Sequence, residues 1–265
     1  MLGSRAVAKP KKPVKLAKKP AAPKKSNKRA KKSPTPKSTR VTTPAPPVVL
    51  PPAPPPQRDE LAAPRDIGRL IRYGERFGPN KIDVRMWNAP NTTVPAQLPL
   101  SSGSLAILDP ADKKSWRLFD RPAGTGQFRI MLSTMKPHGV MDQSKDRLAA
   151  IVIHTGRPPI ARWTVAHWSG QKKPRSAAEL PSLTSTQGWL ALVDGAGGWP
   201  GLLALPASAG TQPVEVALTD GRRALAIPTG RSEVTAYWAV DAADKPICLV
   251  LDCDAITQKD WKAKP

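Results

Sequence analysis

Fifteen lysines and arginines fall in the first forty residues, with no acid and no aromatic ring among them. The formal net charge of the whole chain is +22 over 265 residues, so most of it sits on a short N-terminal stretch. The charges come as doublets, Lys11-Lys12, Lys18-Lys19, Lys24-Lys25, Lys28-Arg29 and Lys31-Lys32, spaced by Pro10, Pro13, Pro20, Pro23, Pro34 and Pro36. Proline removes a backbone donor and clashes with the preceding turn, and like charges at this density repel, so no stable helix can run through. The few small apolar residues cannot offset an ordering entropy of about 1–2 kcal/mol per residue. Residues 1–40 therefore read as a disordered, extended basic arm.

The partner of such an arm is a polyanion, because each lysine that neutralises a phosphate releases a condensed counterion and the contacts add up without a folded site. Nucleic acid is the first reading and an anionic membrane face the second. A solubilising arm without a specific ligand is the plain alternative. The Lys-Lys-Pro and Ala-Ala-Pro-Lys-Lys pattern, with Ser33-Pro34-Thr35-Pro36-Lys37, resembles the tails of linker histones and of the lysine- and alanine-rich bacterial proteins that imitate them.

Residues 41–64 carry Pro44, Pro46, Pro47, Pro51, Pro52 and Pro54 to Pro56. They read as a linker whose proline tract is in polyproline II, a stiff spacer. All thirteen aromatic residues lie at or beyond Tyr73, which assigns residues 65–265 to one globular domain of ample size for a core. Beyond residue 40 there are 27 basic residues against 20 acidic, so this part is only mildly basic. No run approaches the length of a membrane span, and the N-terminus lacks the apolar core of a signal peptide. The expected location is the cytoplasm, with association to the nucleoid following from the arm.

In the domain, residues 65–77 place Ile67, Leu70, Ile71 and Phe77 on one face of a short amphipathic helix ending near Gly78-Pro79. Thereafter the apolar period is two. Ten short strands are predicted, over 81–87, 104–108, 127–133, 148–154, 160–168, 189–193, 214–218, 223–227, 234–240 and 247–252. Asp220-Gly221 marks a hairpin and the short gap from Val240 to Ile247 a second. The fold class is mainly β, an antiparallel sandwich or barrel of about ten short strands, since the connections lack room for crossover helices. Cys248 and Cys253 are an odd five residues apart along the last strand, so they point to opposite faces and read as buried free thiols.

The order of four segments resembles the bacterial DUF4241 family. Leu98-Pro99-Leu100-Ser101-Ser102-Gly103-Ser104-Leu105 followed by Asp109-Pro110 is similar to its "LPSG-L-ACDP" opening, and Ala161-Arg162-Trp163 to its "ARWE" strand. Thr186-Gln187-Gly188-Trp189 with Asp194 takes the place of "GTGCFMDA". Tyr237 to Val240, through Cys248 to Asp252, is similar to "YPVYWGLDADGRPVCLVTDF". The resemblance covers residues 95–256. It departs where Ile227-Pro228-Thr229-Gly230-Arg231 replaces a glycine-rich loop, and where the third segment lacks the cysteine and methionine. The family supplies no established chemistry, so the resemblance implies a fold more than an activity.

Motifs for catalysis are sparse. Ala123-Gly124-Thr125-Gly126-Gln127 precedes a strand and has no Gly-Lys-Ser, so it reads as a tight turn rather than a phosphate loop. His138, His154 and His167 have no metal-ligand spacing, and no serine stands in a Gly-x-Ser-x-Gly elbow. No catalytic residue, metal or cofactor is implied. Trp87, Trp163, Trp168, Trp189 and Trp238 fall in strand-like runs and read as core. Trp199, flanked by glycines, reads as an exposed contact or a loop anchor. Arg162 shares a strand face with Ile160, opposite Trp163, and is expected to meet a carboxylate from Asp252, Asp241 or Asp194, as a structural pair or as a site with Trp199 nearby. The leading functional reading is a non-catalytic binding and tethering protein: the ten doublet residues contact nucleic acid or another polyanion, and the β domain docks on an unidentified partner. The rivals are an immunity or assembly protein that binds another protein, and an enzyme or toxin-like effector with a site around Arg162 and Asp252.

Overall fold

Apolar runs such as Ala149–Ile153 and Ile247–Leu251 satisfy both faces of a strand only if the sheet is covered on both sides. The computed structural model describes residues 58–88, 97–142, 145–157, 159–205 and 212–262; the basic doublets and the proline tract through residue 57 lie outside them. Fourteen strands form among the described residues, and every pairing is antiparallel.

The larger sheet is built from β1 (Arg76–Phe77), β2 (Asn80–Met86), β3 (Gln97–Leu100), β6 (Gly126–Pro137), β7 (Arg147–His154), β8 (Arg162–Val165), β9 (Ser182–Thr184), β13 (Glu233–Val240) and β14 (Pro246–Asp252). Its order is β1-β2-β6-β7-β14-β13-β8. Two strands act as splints. β6 carries β2 along Met131–Pro137 and β3 along Gly126–Arg129 of the same edge. β13 likewise carries β8 along Tyr237–Val240 and β9 along Glu233–Thr235. The smaller sheet has the order β11 (Val214–Ala217), β12 (Arg223–Pro228), β10 (Trp189–Asp194), β4 (Leu105–Leu108), β5 (Arg117–Leu118).

Alternation along the strands sorts the core into three. Leu105, Ile107, Leu190, Leu192, Leu225 and Ile227 of the smaller sheet meet Ile151, Ile153, Trp238, Leu249 and Leu251 of the larger one in the first. The opposite face of the larger sheet, with Val152, Tyr237, Ala239 and Val250, is covered by Ile67, Leu70 and Ile256 from segments near the two ends of the domain. The outer face of the smaller sheet, with Ala106, Leu108, Ala191 and Val193, is covered by Trp116, Trp199 and Leu203. Burial on both faces explains the unbroken apolar runs.

All ten predicted strands are present. The four not foreseen, β1, β3, β5 and β9, have two to four residues each, too few for a period to show. The predicted helix over 65–77 contracts to a 3-10 helix, Ile67–Ile71, with Ile67 and Leu70 buried as expected. Gly74, at φ +80°, turns the chain back so that Arg76–Phe77 becomes β1 instead of a last helical turn. An α-helix, α1 (Gln258–Lys262), closes the described chain. Residues 58–64, read from sequence as the end of the linker, pack on the domain: Ala63 N–H donates to the Trp163 carbonyl at 3.0 Å and Val165 N–H to that of Leu61 at 2.7 Å, so this segment lies along the outer edge of β8.

The two cysteines are buried on opposite faces of the sheet, Cys248 in the second cluster and Cys253 in the first. Burial pushes the Cys248 thiol up to about 12, and burial together with the adjacent Asp252 raises that of Cys253 as well. Thiolate is the reactive form, so a thiol reagent at pH 8 should label neither cysteine in the folded protein and both in denaturant. Rapid labelling without denaturant would contradict this packing.

Candidate functional site

Strand β8 presents Arg162 and Thr164 on the face opposite Trp163 and Val165, because side chains alternate along a strand. At the edge of the sheet these two join charged groups from three other places in the chain. Glu60 receives the Thr164 hydroxyl at 2.9 Å and Arg121 Nη2 at 2.7 Å, while Arg58 Nε lies 2.9 Å from its second oxygen. Asp244, at the tip of the β13–β14 hairpin, accepts from Arg162 Nη2 at 2.5 Å, from the Arg58 backbone N–H at 3.1 Å and from Arg121 Nη2 at 3.3 Å. Arg121 also donates to the Asp244 carbonyl at 2.7 Å. Asp120 is shared by Arg58 and by His167 Nε2, the latter at 3.1 Å.

Three arginines thus meet three carboxylates. The side chains of Glu60, Arg121 and Asp244 are 1%, 4% and 8% exposed. Burial alone would raise the Asp244 carboxyl, but the Arg58 N–H and the guanidinia of Arg121 and Arg162 outweigh it and hold the group below the usual carboxylate range. Burial lowers His167, and the carboxylates of Asp120 and Glu60 only partly offset this. Asp244 adopts φ +62°. This left-handed conformation is uncommon outside glycine, and aspartate is among the residues that tolerate it best.

The structure does not bring together the residues singled out in the sequence. Arg162 pairs with Asp244, not with Asp252, Asp241 or Asp194. Register explains the separation: Arg162 lies opposite Val240 and Asp252 opposite Thr235, five residues along β13, or about 17 Å, and on opposite faces of the sheet. Asp252 pairs instead with Arg65 Nη2 at 2.9 Å. Asp241 stays within its own turn, accepting from the N–H groups of Ala243 and Lys245, each at 2.9 Å. Trp199 is half-buried on the third cluster, which makes it a loop anchor. Ile160 packs with Trp163 in the second cluster rather than sharing the face of Arg162, because β8 begins only at Arg162.

Asp194 ends β10 and locks the turn after β3. It accepts from Ser101 Oγ at 2.7 Å, from the Ser102 N–H at 3.0 Å and from the Ala196 N–H at 3.0 Å. These bonds outweigh burial and hold its carboxyl well below the usual range. Two of the four segments on which the family resemblance rests therefore meet at this carboxylate. Arg222 gathers the loop that follows, donating to the carbonyls of Asp194, Ala196 and Gly198.

The residues missed by sequence reasoning are Arg58, Glu60, Asp120, Arg121 and Asp244. Asp244 gave a signal as part of a turn, but nothing in a single sequence ties it to a residue 186 positions earlier. The chain matches no known family model, no curated protein and no solved structure. No group of three or more His, Cys, Asp or Glu among the described residues is arranged to hold a metal ion, and no helix there is long and apolar enough to cross a membrane. Chemically, the cluster is a charge-balanced clamp joining the start of the domain, the segment after β5 and the last hairpin.

Removing one member leaves a buried charge unmatched, which costs about 3–5 kcal/mol. Arg121→Ala should lose that much stability in denaturant unfolding. Arg162→Ala, whose side chain is 26% exposed, should lose less; equal losses would contradict the clamp.

Asp252 gives a pH signature. Burial lifts its carboxyl to about 6 against the opposing pull of Arg65, whereas in the unfolded chain it titrates near 3.9. The folded state binds the proton more tightly, so this group's contribution is present below about pH 4 and is lost as pH rises through about 6, worth roughly 3 kcal/mol. Between those values the native protein should lose stability relative to Asp252→Asn. Parallel stability profiles for the two proteins would refute this assignment.

Proposed function

We propose that the chain is a non-catalytic tethering protein: its basic arm binds nucleic acid, and its DUF4241-type β domain is thereby held at that polyanion, where it docks on a protein partner. The observation that carries this reading is the charge of the arm, fifteen basic residues in forty with no acid to neutralise them. The folded part supports the non-catalytic half. Arg162, Asp194, Asp241 and Asp252 are each engaged in holding segments of the fold together, and Trp199 in covering the smaller sheet. In this reading the protein works in the cytoplasm, on the nucleoid.

The reading is tested by titrating a duplex DNA of arbitrary sequence with the full chain at several salt concentrations. The same titration is run with a chain in which Lys11, Lys12, Lys18, Lys19, Lys24, Lys25, Lys28, Arg29, Lys31 and Lys32 are replaced by glutamine. Affinity of the native chain should fall linearly on a log-log plot, with a slope of about −0.9 per phosphate neutralised, and little with base sequence. The substituted chain should bind far more weakly and with a shallower slope. Equal binding by the two chains would overturn the role of the arm.

A further inference from the structure

Many of the arginines organised by the fold are matched by carboxylates: Arg58, Arg65, Arg69, Arg121, Arg162 and Arg222 all stand in ion pairs. A second group is not. Lys113, Lys114, Lys172, Lys173 and Arg175 are exposed, and none of them, nor Arg117, makes a side-chain ion pair among the described residues. Arg117 and Lys173 use their side chains on backbone carbonyls, of Lys114 at 2.6 Å and of Asp59 at 3.3 Å.

Two segments distant in sequence supply these charges, and backbone pairing joins them. Phe119 bridges Trp168, and the Leu118 carbonyl, next to Arg117, accepts from the Ser169 N–H at 2.7 Å. The turn closed by the Gln171 N–H on the Trp168 carbonyl then leads directly into Lys172. Fewer acids than bases stand nearby. Asp120 is held by Arg58 and His167, Asp112 accepts from the Lys114 N–H at 2.9 Å, and Glu179 accepts from the Arg175 N–H at 2.9 Å; Asp59 is exposed. A backbone N–H bond leaves a carboxylate charged, so the rim sets six basic side chains against the exposed carboxylates of Asp59, Asp112 and Glu179 and is net positive.

Its place in the chain gives it meaning. Lys173 is bonded to Asp59, one residue after the point where the described chain begins, so the rim stands at the root from which the sequence runs back to the arm. Building on the tethering reading above, we propose that Lys113, Lys114, Arg117, Lys172, Lys173 and Arg175 form a second, folded contact for nucleic-acid phosphates. An extended polycation supplies affinity without orientation, whereas phosphate contacts from a rigid surface fix how a domain sits on the duplex.

The test uses the full chain and a 30-base-pair duplex DNA as probe, with binding followed by fluorescence anisotropy across salt. Four proteins are compared: native, a rim variant (K113Q/K114Q/K172Q/K173Q), the glutamine-substituted arm variant, and the two combined. The rim variant should fold like the native protein, since all four lysines are exposed. It should lower the steepness of the log-log salt plot by about 2–4, at about 0.9 per lost phosphate contact. The arm variant should retain a weak, salt-sensitive binding that the combined variant loses. A rim variant with native affinity and slope, or an arm variant whose residual binding is unaffected by adding the rim substitutions, overturns the rim while leaving the arm reading intact. Failure of the native chain to bind DNA, including the case in which it binds only anionic vesicles, overturns both.

Discussion

The carboxylate of Asp244 is the point on which the rest of the domain's organisation depends. It sits at the tip of the last hairpin, with its backbone in a left-handed conformation, and takes bonds from Arg58, Arg121 and Arg162. Those three residues come from the start of the domain, from the connection after β5 and from an edge strand. Each arginine would be costly to bury alone, and so would Glu60 and Asp244. Together they balance, and the balance fixes where the N-terminal segment runs along β8.

That clamp belongs to a more general scheme in which the larger sheet is closed on its second face by segments from near both ends of the domain. Ile67 and Leu70 from one end and Ile256 from the other cover Val152, Tyr237 and Val250. Arg65 reaches Asp252 and stacks on Trp261, 4.6 Å from the ring centroid. The second face is thus sealed by packing and by a charge pair at once, which explains how Asp252 can be 2% exposed in an otherwise apolar strand.

Much of this architecture is legible in the sequence, for a physical reason. Strands of six or more residues with both faces buried produce apolar runs long enough to recognise, so β7, β10, β13 and β14 stand out. β5 and β9 do not, because two or three residues have no period. The split of Cys248 and Cys253 between two clusters follows from parity alone. The charged cluster was only half visible: Arg162 was found because it interrupts an apolar strand, but its partner is set by the register of β13 and the hairpin tip, and register is a property of the assembled sheet. Glu60 looked like linker because it follows prolines, and its burial depends on Thr164 and Arg121, which lie far along the chain.

The span of the clamp also constrains the order in which the molecule can be made. Arg58 and Asp244 are 186 residues apart, and contacts of such separation are entropically costly until the intervening chain has collapsed. During synthesis residues 58–64 can meet Arg121 and β8 earlier, but the Asp244 part of their seat is absent until the β13–β14 hairpin has left the ribosome. The first described segment of the domain is therefore made early, yet its contacts are completed only by nearly the last strand pair to be synthesised.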